Sequence, residues 1–125
     1  MSGCDVCIGV DSIDEEWFEF SHTEMRTARK PHKCCECGEA ISPGFRYEHF
    51  SGKYDGGIST YNPCHMCVEI RMVFTCGNCW YFGQLWEEMS DYGFENLTTA
   101  SPCFQELSPE AKGFVLEQWR KWKGL

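Results

Sequence analysis

The sequence predicts a small α+β protein in which a cysteine knuckle, a β-hairpin and a helix lead into additional C-terminal helices. Three observations predict it. Cys34-x-x-Cys37 and Cys64-x-x-Cys67 form two CxxC pairs separated by 26 residues. Between them, Pro43-Gly44 marks a turn and residues 45–61 read as a hairpin closing near Gly56-Gly57. Beyond the second pair, Phe82, Leu85, Trp86 and Met89 fall at i, i+3, i+4 and i+7, the spacing of one apolar helix face.

The elements follow in order. Residues 1–10 read as a loop carrying Cys4 and Cys7, and residues 11–24 as a short extended, acidic arm interleaved with aromatics. Residues 25–33 read as a strand or arm entering the first knuckle, residues 34–44 as the knuckle and its turn. Two strands are expected at about residues 45–51 and 58–61, with Gly56 and Gly57 supplying positive φ to the connection. Residues 64–74 read as a helix with Val68 and Met72 toward the core, and residues 79–92 as a second helix stopped by Gly93. Residues 94–107 read as a loop holding Cys103, for which the sequence offers no partner and which is expected to be a small buried hydrophobe. Ser108-Pro109 then starts a last helix, with Ser as N-cap and Pro at the first position; Ala111, Val115, Trp119 and Trp122 line one side of it.

Ten of the 125 residues are cysteine, and eight of these form four CxxC pairs. Residues 1–24 contain no Lys or Arg and no apolar signal core, so a reducing, cytoplasmic location is expected, where such pairs read as metal ligands and not disulfides. Four thiolates at the spacing of Cys34, Cys37, Cys64 and Cys67 close a tetrahedron around Zn²⁺. A second four-cysteine zinc site is expected from Cys4, Cys7, Cys76 and Cys79. Cys35 is one residue too close to Cys37 for a normal knuckle, and His65 reads as a surface or neighbouring residue.

Lys33-Cys34-Cys35-Glu36-Cys37-Gly38-Glu39-Ala40-Ile41 and Asn62-Pro63-Cys64-His65-Met66-Cys67, in the order knuckle, hairpin, helix, resemble the treble-clef zinc fingers over residues 33–74. The run Arg26-Thr-Ala-Arg-Lys-Pro-His-Lys-Cys-Cys-Glu-Cys-Gly-Glu, with Cys79-Trp80-Tyr81-Phe82-Gly83-Gln84-Leu85, resembles a group of small uncharacterised zinc-finger proteins encoded by bacteriophages and prophages. That resemblance implies a phage accessory protein acting inside a bacterium, by binding or inhibiting a host protein such as a defence nuclease. The chain divides accordingly into an acidic arm with a CxxC (1–24), a zinc-binding core (25–93), and a loop and C-terminal helix packed on it (94–125).

The formal net charge is −8, and each zinc held by four thiolates adds a further net −2. Phosphate backbones repel such a chain, which lowers the expectation of nucleic-acid binding and favours a partner protein with a basic surface. Asp14, Glu15, Glu16, Trp17, Phe18 and Glu19 form an acidic-aromatic segment suited to that partner. The main expectation is therefore a non-enzymatic protein-interaction module. The alternative is a nucleic-acid-binding regulator using Arg26, Arg29, Lys30, His32, Lys33 and Arg46, with Tyr47, Phe50 and Tyr54 as stacking groups.

An HNH-like nuclease stands third. Glu48-His49 and Asn62 echo part of that pattern, but no His or Asn follows Cys67, where the chain reads Val68-Glu69-Ile70-Arg71. A deaminase requires an H-x-E motif and an open metal position, and Glu36 between Cys34 and Cys37 makes neither.

Overall fold

The computed structural model describes residues 8, 20–54, 57–75 and 82–124. They form a mixed α+β structure with two small antiparallel sheets and a helical C-terminal half. Strand β1 (Phe20–Thr27) pairs with β4 (Arg46–Tyr54), and β4 with β5 (Gly57–Tyr61), giving the order β1-β4-β5. A two-stranded ribbon of β2 (His32–Lys33) and β3 (Ala40–Ile41) carries the first knuckle in its connection. The strand expected after residue 25 thus begins earlier, at Phe20, because its whole length finds a partner in β4, from Phe20↔Lys53 to Thr27↔Arg46.

The hairpin is longer than its sequence pattern. Pairing continues to Tyr54↔Gly57, so Gly57 is a strand residue and is not among the positive-φ glycines. The glycine that does turn the chain here is Gly44 at φ 93°, whose N–H bonds Ala28 O at 2.8 Å. A left-handed residue at that corner is cheap only for glycine.

Helix α1 (His65–Phe74) lies against β4 and the C-terminal helices. It buries Cys67, Ile70, Arg71 and Phe74, at i, i+3, i+4 and i+7. This corrects the expectation for Val68 and Met72: Met72 is 55% exposed and Val68 half-buried. Including Cys67 and the charged Arg71 in the buried stripe rotates the helix away from the purely apolar choice.

The second helix is shorter than its periodicity. Only Leu85–Glu88 is α-helical (α2), continuing as one π turn over Met89–Gly93. Leu85 and Met89 are buried, Trp86 is half-buried, and Phe82 sits in the turn before the helix. Gly93 is needed for space: a Cβ there would meet Met89 Sδ at 3.0 Å and Ile8 Cγ2 at 3.3 Å. Ile8 is itself buried and donates its N–H to Phe74 O at 2.8 Å.

Residues 94–107 are more ordered than the expected loop. A short helix α3 (Pro102–Gln105) buries Cys103 and Phe104, with Phe94, Leu97 and Leu107 beside them in the core. Cys103 is disulfide-bonded, not merely a small hydrophobe. The last helix, α4 (Pro109–Lys123), starts as the sequence predicts. Ser108 Oγ accepts from Ala111 N at 3.3 Å, and Gly124 ends the helix at φ 82°. Ala111 and Val115 are buried, Trp119 is half-buried, and Trp122 is exposed. No described helix is long and apolar enough to cross a membrane.

Candidate metal centre

Two pieces of backbone converge to build the site. The β2–β3 connection turns tightly: Cys34 N–H bonds Glu39 O at 2.9 Å, Gly38 N–H bonds Cys34 O at 3.1 Å, and Gly38 takes φ 77°. The segment before α1 is pinned from both sides. Glu48 N–H bonds Pro63 O at 3.0 Å, Cys35 N–H bonds Asn62 O at 3.3 Å, and Tyr47 bridges to Cys64. Cys64 becomes the N-cap residue of α1 and Cys67 falls in its first turn. There the free N–H groups and the helix dipole favour negative charge.

As a result, the sulfurs of Cys34, Cys37, Cys64 and Cys67 all lie within 4.8 Å of one another. A zinc ion with bonds of about 2.3 Å in a tetrahedron separates its sulfurs by about 3.8 Å, so the cluster has the size the ion needs. Cys34 and Cys67 are buried, and Cys37 and Cys64 half-buried. Cys34 Sγ accepts three backbone N–H groups, from Cys64 at 3.2 Å, Glu36 at 3.4 Å and Cys37 at 3.5 Å, the donors a thiolate ligand uses.

The neighbouring thiols of Cys37, Cys64 and Cys67 hydrogen-bond Cys34 and hold it far below the ordinary thiol range. Contacts with Cys34, Cys37 and Cys64, together with burial, push Cys67 above it. Four such sulfurs cannot all be anions without a positive ion among them. Cys35 stands apart. It is adjacent to the ligands yet outside the cluster, and burial raises its thiol to about 12.

Neighbouring side chains lock this centre to the rest of the fold. Glu36, inside the first knuckle, accepts N–H groups from Gly83 at 3.0 Å and Leu85 at 3.1 Å, capping α2 from a distant part of the chain. Burial pushes its carboxyl above the usual range, against the pull of those two donors. Arg71 of α1 makes a double contact with Glu48 of β4, both bonds at 3.1 Å, with both side chains buried. Its guanidinium also lies 5.6 Å from the centre of the Phe82 ring, which packs on Phe50 and Tyr61. Glu69 receives Ser108 N–H at 2.6 Å and Ser108 Oγ at 2.9 Å, joining α1 to the start of α4.

These carboxylate links were missed in the sequence. The one available signal was Arg71, a charge on the buried stripe of α1, which requires a partner.

The structure also decides several expectations about other residues. His65 is exposed and stacks on Phe45, as a surface histidine. His49 and Asn62 do meet, Nδ1 to Oδ1 at 2.8 Å. Glu48, however, is committed to Arg71, and as strand neighbours Glu48 and His49 point to opposite faces. Tyr47 and Phe50 are 5% and 6% exposed, so neither offers a ring face for base stacking. The side chain of Tyr54 lies outside the described residues, as do Cys4, Cys7, Cys76 and Cys79 of the expected second site and the segment Asp14, Glu15, Glu16, Trp17, Phe18 and Glu19. Compared with known protein families, curated proteins and solved structures, the chain matches none of them.

Proposed function

We propose that this chain is a non-enzymatic interaction module organised by one structural zinc in a treble-clef-like arrangement of knuckle, hairpin and helix. The observation that carries this reading is the closed sphere of Cys34, Cys37, Cys64 and Cys67. Four cysteine ligands leave zinc no position for a substrate or an activated water, whereas catalytic zinc keeps one open. A metal so placed contributes folding energy to a small core. Large apolar side chains left on the surface, Phe45, Ile58 and Met72 among them, support a protein partner. The net charge of −8 favours one with a basic face, as a host protein bound by a phage accessory protein would present.

The test uses the full chain purified under reducing conditions and loaded with zinc. Native mass spectrometry counts the metal, and immobilised protein is challenged in parallel with cell lysate and with DNA. The reading expects zinc, protein retention that resists moderate salt, and no cleavage of DNA. Mg²⁺-dependent cleavage abolished by His49→Ala would replace it with a nuclease.

A further inference from the structure

At the corner where β1 passes into β2 and β4 begins, a groove of about 770 Å³ is lined by Arg26, Arg29, Lys30, His32, Arg46 and Tyr47. Among the described residues no acidic side chain lines it. Four of the chain's eleven Lys and Arg residues gather there, in a molecule whose net charge is −8. Arg26 is engaged by Glu24. Among the described residues no carboxylate pairs with Arg29, Lys30 or Arg46; Arg46 reaches only the Thr27 hydroxyl, at 3.3 Å. Like charges held together without counter-charges repel one another, and an anion between them removes that cost.

The corner is also held in place. Ala28 is buried; it donates to Phe45 O and accepts from Gly44 N, both at 2.8 Å. His32 packs on Tyr47 with ring centres 4.9 Å apart, flooring the groove. Its exposed cations therefore project from a backbone already fixed in place, so that only their side chains must be ordered when a ligand arrives.

We propose that this groove binds a phosphomonoester dianion, with Arg29, Lys30 and Arg46 supplying the charge and donors. Guanidinium forks match phosphate oxygens, and charge-assisted bonds of this kind are the strong ones. The groove is too small, and the molecule too acidic, for an extended polyanion: a nucleic acid strand would leave the corner and meet a repelling surface. The buried rings of Tyr47 and Phe50 also deny it a stacking platform. A compact dianion instead stays within a Debye length, about 8 Å, of the groove's cations. This inference is independent of the reading of the metal centre.

The test is an NMR titration of the zinc-loaded, ¹⁵N-labelled full chain at constant ionic strength, with inorganic phosphate and separately with O-phosphoserine. Saturable shifts confined to residues 25–32 and 46–47 are expected. The double variant Arg29→Ala/Lys30→Ala should bind at least about tenfold more weakly. It should keep its zinc and its melting temperature, and Lys121→Ala, outside the groove, should bind normally. Saturation by inorganic phosphate alone assigns a small free anion; saturation by both extends the site to phosphorylated side chains. The proposal is overturned by scattered or non-saturating shifts, or by equal binding in the double variant. It is equally overturned if only a single-stranded oligonucleotide binds, with a salt dependence exceeding the groove's few cations.

Discussion

Cys34 and Cys35 are adjacent thiols with opposite fates. The first sits at the centre of three backbone N–H groups and three sulfurs; the second is excluded from the cluster and held protonated by burial. Cys35→Ser should therefore retain zinc at full stoichiometry, while Cys67→Ser should lose it and unfold on mild heating, as metal analysis and circular dichroism would show. Acid should have the same effect as losing a ligand. Zinc requires thiolates, so protons compete for four sulfurs as the pH falls. Glu36 acts in the opposite direction. Its raised pKa means that the folded state holds a proton more firmly than the unfolded chain, a contribution present below the ordinary carboxylate range and lost as the pH rises through the raised value. Four thiolates outweigh one carboxyl, so a chromophoric chelator should report zinc release on acidification.

At the scale of elements, the Glu48–Arg71 pair is the joint between sheet and helix. Arg71→Ala leaves a buried carboxylate without its partner and should cost about 3–5 kcal/mol in denaturant unfolding. Arg71→Met with Glu48→Leu should recover most of that loss, since removing both charges together leaves neither stranded. The joint explains why α1 was legible in extent and not in orientation. Cys64 and Phe74 bracket the helix in the sequence, but the face it buries depends on Glu48, 23 residues earlier in the chain. The knuckle ligands and the start of α4 were legible because their signals are local: a CxxC spacing, a Ser-Pro cap. The length of β1 and the brevity of α2 were not, because the one depends on partners in β4 and the other on a carboxylate of the knuckle.

For the whole molecule, the four-cysteine cluster lies where the sheets meet the helical layer, beside the Glu48–Arg71 and Glu36–Leu85 links. The sheets contribute Cys34 and Cys37, the helical layer Cys64 and Cys67, and apolar core residues continue from Ile70 and Phe74 through Met89 to Val115. With one zinc held by four thiolates the net charge falls to −10. Native mass spectrometry should count at least one zinc per chain. Denatured, unreduced protein should in addition be lighter by the two hydrogens of the Cys103 disulfide. Recovery of those hydrogens on reduction, with the first zinc still bound, would show that the thiol cluster and the disulfide are independent supports.

The position of Glu36 has an optical consequence. It is bracketed by two ligands, and its carboxylate holds the N–H of Leu85, next to Trp86 in a nest of aromatic rings with Phe94 and Phe114. Metal occupancy should consequently be visible in indole emission although the cluster consists of cysteines alone. Chelation should shift the fluorescence maximum to the red, and Glu36→Ala should reduce that change even where zinc still binds. The chain would carry its own gauge of loading, readable in a cuvette without a dye.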